Sequence, residues 1–240
     1  MITISLCMIV KNEEDSLGRC LDSIRGIADE IVIVDTGSTD RTKEIAAARG
    51  AKVYDFEWID DFGAARNYAF SLATQEYQLW LDADDVFEPA DRERLLALKQ
   101  TLDPAIDSVT MHYHLAFDAS GNPTSSLRRN RLVRRDRRFR WIGPVHEYLE
   151  VGGRILHSDI AVTHRKERAY TDRNLRIYRK REAAGEDFSL RDLYYFANEL
   201  RDHRHYEEAI SYYERFLDSE GIWLEDGVAA SVKLADCYGA

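Results

Sequence analysis

The chain has 240 residues, 45% of them hydrophobic and 32% charged, with a net charge of −10. That balance describes a globular protein with room for one large domain, or a medium domain and a small appendage. The acidic excess argues against general nucleic-acid binding, though not against a local basic patch. No stretch approaches the length of a membrane-spanning helix, so at most a peripheral membrane contact is expected.

The first hundred residues alternate strand and helix. Ile4 to Val10 is a continuous apolar run, the pattern of a strand buried on both faces. It has no basic leading segment and is followed by Lys11-Asn12-Glu13-Glu14, so it reads as a first strand rather than a secretion signal. Cytoplasmic location is the corresponding expectation, with Cys7 a reduced thiol buried in that strand. Leu17, Leu21, Ile24 and Ala28 then recur at helical spacing. Ile31 to Val34 is a second strand ending at Asp35, and Gly37-Ser38-Thr39-Asp40 offers a turn and N-cap for a helix running to about Gly50. Lys52 to Tyr54 is a third strand, a helix spans about Phe62 to Ala73, and Tyr77 to Leu81 is a fourth strand. This order predicts an α/β fold, a mixed but mainly parallel sheet with helices on both faces.

The fourth strand ends in Asp82-Ala83-Asp84-Asp85. Open α/β sheets bind ligands at the carboxyl ends of their strands. Like charges packed this tightly repel, and a hard divalent cation held by them would in turn hold a diphosphate. The plainer reading is a solvated acidic turn.

Beyond it, Arg92 to Leu102 has helical character, and Val109, Met111, Tyr113, Leu115 and Phe117 alternate as in a strand. A turn at Asp118 to Pro123 leads into a returning strand, Leu127 to Val133. Arg128 to Arg140 carries eight arginines and one aspartate, read as strand and loop with one basic face, serving either an anionic ligand or acidic neighbours. Trp141-Ile142-Gly143-Pro144-Val145-His146-Glu147 has a turn at Gly143-Pro144, predicted to place His146 and Glu147 at the start of a short helix. From about Ala169 the pattern is helical. Tyr194, Ala197, Leu200, Tyr206, Ala209, Ile210, Tyr213, Phe216 and Leu217 follow it in two blocks, and Leu234 to Tyr238 echoes Phe196 to Leu200. The second block resembles a helix of a tetratricopeptide repeat, and one and a half such repeats imply an incomplete array. The domains expected are 1–168 and 169–240.

Four segments in order carry a specific resemblance: Ser5 to Glu14, Ile33 to Thr42, Ala64-Ala65-Arg66-Asn67, and Leu81 to Asp85. Together they resemble glycosyltransferase family 2. The Val-His-Glu element and C-terminal repeats are similar to a branch holding lipopolysaccharide-core glucosyltransferases and sublancin-type peptide S-glycosyltransferases. The resemblance implies a GT-A fold, a nucleotide-sugar donor of the UDP type, Mn²⁺ or Mg²⁺, inversion at the anomeric centre, and a glycan, glycolipid or peptide acceptor. A protein partner would bind the helical segment, and nucleic acid is not implied.

Carried onto these residues, Val10 and Glu14 would flank the nucleoside, and Asp35 would accept from the base or ribose, unless it only stabilises the turn with Ser38. Arg66 would contact the donor phosphates, or else pair on the surface with Asp60 or Asp61. Asp82 would serve ribose or metal, Asp84 the metal, and Asp85 would face the sugar as a third catalytic candidate. His164 is the expected histidine ligand, ahead of His157. Glu147 is nominated as the base, with His146 as the alternative or as the residue orienting the acceptor. Two rival functions are a sugar nucleotidyltransferase, disfavoured by the absence of a glycine-rich loop after the first strand, and a non-catalytic repeat protein.

Overall fold

The computed structural model describes residues 1–165 and 171–240. It contains two compact units, Met1–Arg168 and Ala169–Ala240.

The first unit is built around an eight-stranded sheet. β1 (Ile4–Val10), β2 (Glu30–Asp35), β3 (Lys52–Asp55) and β4 (Tyr77–Trp80) pair in parallel, in the order β3-β2-β1-β4. The sheet continues with β7 (Pro123–Arg134), β6 (Ser108–Phe117), β10 (Ile155–His164) and the two-residue β5 (Asp85–Val86). β7 is antiparallel to both β4 and β6, and β10 is parallel to β6. Two reversals cancel, so β10 runs in the direction of β4. His164, at the end of β10, therefore lies at the same sheet edge as the ends of β1, β2 and β4.

Alternation along β1 explains the two-sided burial. Leu6, Met8 and Val10 pack with Leu17, Leu21 and Ile24 from the α1 (Leu17–Ser23) region and with Leu95 of α4 (Pro89–Thr101). Cys7 joins a second cluster with Ala69 and Phe70 of α3 (Phe62–Leu72), Trp80, Val133 and Trp141. A parallel strand covered on both faces needs apolar residues at every position, which is what the continuous run supplies. α2 (Thr42–Ala48) lies between β2 and β3 in sequence.

Two local expectations are corrected. The helical spacing from Leu17 to Ala28 gives a helix only as far as Ser23, because the chain turns at Gly26 with φ +77°. No helix follows Gly143-Pro144: β8 (Arg140–Ile142) and β9 (Tyr148–Glu150) form a separate antiparallel hairpin, with Trp141 opposite Leu149. Gly143 and His146 both take positive φ in the connection, +93° and +50°, which suits a tight return and not a helix start.

The second unit contains α5 (Arg173–Ala183), α6 (Leu190–Asp202), α7 (Tyr206–Leu217) and α8 (Leu224–Tyr238). Successive helices pack on one another, and α6 also meets α8. Ser189 and Asp192 form a reciprocal capping box at the start of α6. Of the helical face read from sequence, Tyr194, Ala197, Leu200, Ala209, Tyr213 and Phe216 are buried, while Tyr206, Ile210 and Leu217 are half-buried. Tyr178, Phe188, Phe196 and Tyr212 form its aromatic centre. No helix among the described residues is long and apolar enough to cross a membrane.

Candidate active site

The loops after β1 and β2 are tied to each other. Asn12 Oδ1 accepts from the Thr39 amide, Ser38 Oγ from the Asn12 amide, and Thr42 Oγ1 from the Glu13 amide. Glu14 belongs to this lattice, its carboxylate accepting from the Arg41 amide at 3.2 Å at the start of α2. Val10 ends β1 opposite Asp35, and its carbonyl accepts from both the amide and the hydroxyl of Thr36. Asp35 is fully buried. Its Oδ1 accepts from the Gly37 and Ser38 amides at 3.0 and 2.8 Å, while its Oδ2 has no partner. The turn-stabilising role and a free acceptor oxygen thus coexist in one carboxylate. Leaving a buried acceptor unpaired costs about 1–3 kcal/mol, so an incoming donor N–H or O–H has something to gain there.

Arg66 lies on α3 with its side chain only 10% exposed. It is not on the surface with Asp60 or Asp61: Asp61 caps α3 through the Ala64 amide, and Asp60 accepts from Trp58 Nε1. Its guanidinium instead spans two acids, Nη2 to Asp82 at 2.7 Å and Nε to Glu147 at 2.6 Å. It also stacks near the rings of Trp141 and Trp80, 4.7 and 5.1 Å from their centroids. Nη2 and Nε of the fork are thus engaged by carboxylates of the chain, in place of the surface pair with Asp60 or Asp61. Burial presses the Asp82 carboxyl upward, but the charges of Arg66 and Arg131 outweigh it and hold Asp82 below the usual carboxylate range.

The next residue along α3, Asn67, clamps the backbone of Trp141, accepting from its amide and donating to its carbonyl, both at 2.9 Å. The Phe62 amide donates to the Pro144 carbonyl, and Gly63 lies so close to the loop that a Cβ there would be 2.6 Å from the Gly143 oxygen. The α3 segment thus fixes the whole Trp141–Glu147 element.

Asp84, Asp85 and His164 come together as a group with ligand atoms within 4.8 Å of one another. The antiparallel pairing of β5 with β10 sets His164 directly opposite Asp85. His164 Nδ1 lies 3.4 Å from a carboxylate oxygen of each acid and 2.9 Å from the Tyr113 hydroxyl. Hydrogen bonds to Asp84 and then Asp85 draw the imidazole up to about 10, so this position attracts positive charge. Carboxylate oxygens with one imidazole suit Mn²⁺ or Mg²⁺. Asp82 stands outside this group, bound to Arg66, and Asp85 stands inside it. Asp85 does not face an open sugar site: its side chain is fully buried, accepting from the Asp82 amide at 3.0 Å and paired with Arg131 at 2.9 Å. His157 is bonded to Thr110 in the first half of β10 and is not in this group.

Arg131 itself was hidden in the run of eight arginines. The expected single basic face is broken by it, since it is 0% exposed. Its neighbours disperse: Arg135 donates to the Gln75 carbonyl, Arg134 and Arg137 face Asp107, and Arg128 donates to the Ser158 carbonyl.

The family model for glycosyl transferase family 2 matches residues 5–164. The chain belongs to that family. Among curated proteins, a TPR repeat-containing protein of Synechococcus elongatus is 39% identical over 151 residues, 62% of this chain and 36% of that one. The SPbeta prophage-derived glycosyltransferase SunS of Bacillus subtilis is 26% identical over 232 residues, 90% of this chain and 54% of that one. The chain thus spans about a third to a half of the length of these relatives. The crystal structure of glucosyl-3-phosphoglycerate synthase from Mycobacterium tuberculosis, in complex with Mn²⁺, UDP-glucose and phosphoglyceric acid, superposes with a TM-score of 0.51. It has 17% identity and covers 78% of this chain and 82% of that one. The likeness is one of fold. As a family 2 glycosyltransferase the chain has the mixed, mostly parallel GT-A sheet of its neighbours, and the acids and the histidine gather at its carboxyl edge.

Proposed function

We propose that this family 2 glycosyltransferase moves a sugar, with inversion, from a UDP-sugar to a glycan, glycolipid or peptide acceptor, with the help of Mn²⁺ or Mg²⁺. The observation that carries the reading is the bridge made by Arg66. One guanidinium joins Asp82, at the start of the acid cluster, to Glu147, on the loop nominated for the acceptor. Donor-side and acceptor-side acids are thereby held one side chain apart.

In this reading Asp84, Asp85 and His164 would hold the divalent cation, for which their donor set is suited. When bound, the cation supplies charge neutralisation to the departing nucleoside diphosphate. Asp35 offers its unpaired Oδ2 to the base or ribose, Val10 and Glu14 frame the nucleoside, and Asp82 faces the ribose side. Glu147, oriented by Arg66, takes the acceptor proton, and His146, next to it in the loop, orients the acceptor. The mycobacterial neighbour described with Mn²⁺ and UDP-glucose supports the choice of metal and nucleotide. The buried, unpaired state of Cys7, Cys20 and Cys237 agrees with a reducing cytoplasmic setting. Residues 1–168 form the transferase domain in this reading, and 169–240 a tetratricopeptide-like segment that binds a protein partner.

A panel of nucleotide sugars, scored for release of UDP, GDP or dTDP with and without Mn²⁺, tests the proposal. UDP release that needs the metal and vanishes in Asp84→Ala is expected. Turnover that survives both Asp84→Ala and chelation would refute it.

A further inference from the structure

Arg131 is the largest completely buried side chain among the described residues. Its place follows from a fault in the sheet: the β6–β7 ladder pairs Val109 with Leu132 and Thr110 with Asn130, so one residue of β7 is skipped. The skipped residue is Arg131. A bulge of this kind re-aims a side chain that regular alternation would send elsewhere. The guanidinium lies 3.8 Å from the Trp80 ring centroid and 4.4 Å from that of Tyr113. Nη1 meets Asp85 Oδ2 at 2.9 Å and the Trp80 carbonyl at 3.2 Å.

The arrangement is poor as a stability device. Nε and Nη2 have no hydrogen-bond partner, and a buried ion pair is often no better than apolar residues of the same volume. What the pair does is divide the two oxygens of Asp85. Oδ2 is taken by Arg131 and the Asp82 amide, which leaves Oδ1 on the His164 side, 3.4 Å from Nδ1. The Tyr113 ring that stacks on Arg131 also carries the hydroxyl that hydrogen-bonds His164. Two of the three candidate cation ligands are therefore oriented from the same buried group, one directly and one through Tyr113.

We propose that Arg131 is a positioning residue for the divalent cation, fixing the rotation of Asp85 so that Oδ1 faces Asp84 and His164. The inference rests on the cation-dependent reading given above. Outer partners of this kind are worth about 10–100-fold in metal affinity.

The test is Mn²⁺ binding to the whole chain in the presence of UDP, read by the loss of the free-ion electron paramagnetic resonance signal. Arg131→Met is expected to bind Mn²⁺ about 10–100-fold more weakly than the wild type. Turnover at saturating Mn²⁺ should recover far more than turnover at low Mn²⁺, a split that a merely structural role would not give. Arg131→Lys keeps the charge but loses the planar fork, and is expected to fall between the two. Should Arg131→Met fail to fold, the Lys variant decides. Wild-type Mn²⁺ affinity in every variant that folds overturns the proposal. A wild-type protein that binds no Mn²⁺ beside UDP instead overturns the functional reading, and this inference with it.

Discussion

Arg66 shows how much one side chain can organise. Its burial would be costly if it were alone, and it is offset by two carboxylates and two indole rings. Arg66→Met leaves Glu147, only 11% exposed, without its countercharge, and should lower stability by about 3 kcal/mol in urea unfolding. Glu147→Gln separates binding from chemistry: turnover should fall about 10²- to 10⁴-fold while UDP affinity, measured by titration, stays at the wild-type value. Equal turnover in the Gln variant would remove Glu147 as the base and leave His146 as the nominee. The sequence motifs pointed to Arg66, Asp82, Asp84 and Glu147, and the structure places Asp82 and Glu147 on the one guanidinium of Arg66. Their partners were not legible in the sequence. Spacing pointed Arg66 at Asp60 and Asp61, its neighbours in sequence, whereas its contacts lie 16 and 81 residues away. Arg131 gave no signal, because a bulge has no mark in a run of like residues.

At the scale of elements, α3 and the β8–β9 hairpin act as one body. The two Asn67 hydrogen bonds satisfy the Trp141 backbone between them, and Gly63 allows the loop to approach where any side chain would collide. Asn67→Ala removes both bonds and strands a buried amide and carbonyl, and is expected to cost about 1–3 kcal/mol. Hydrogen exchange should then quicken across Trp141 to Glu150 before it quickens in β1 or β4. Equal protection in the variant would mean that the hairpin is held by its own packing. β1 and β2 were readable as continuous apolar runs, and the helical face of the second unit because its periodicity runs over many residues. The hairpin was not, because its strands are three residues each and alternation over so short a span is indistinguishable from a helix start.

For the molecule as a whole, the parallel half of the sheet is pinned at its other edge by Glu30. Burial presses this carboxyl upward, but Lys52, the Ser5 hydroxyl and the Thr74 amide outweigh it and hold it at about 2, from an ordinary 4.5. A carboxyl lowered by folding adds stability above its unfolded value, and that stability is lost as pH falls from about 4.5 toward 2. Lys52 is 59% exposed, so screening reduces the contribution to about 1–2 kcal/mol. Glu30→Gln should be less stable than the wild type by that amount at pH 7, with the gap narrowing below about pH 4.5 and closing only below about pH 2 in denaturant titrations. A gap of undiminished size near pH 2 would show that shape, not charge, is at work. A last consequence follows from the aromatic packing. Trp80 and Trp141 meet edge to face at 4.8 Å and share the guanidinium of Arg66, while Arg131 covers Trp80. Half of the chain's four tryptophans are thus wired to the acids that would hold donor and cation. Their ultraviolet emission is therefore expected to change when donor and cation bind, which a fluorescence titration of the unlabelled protein would check.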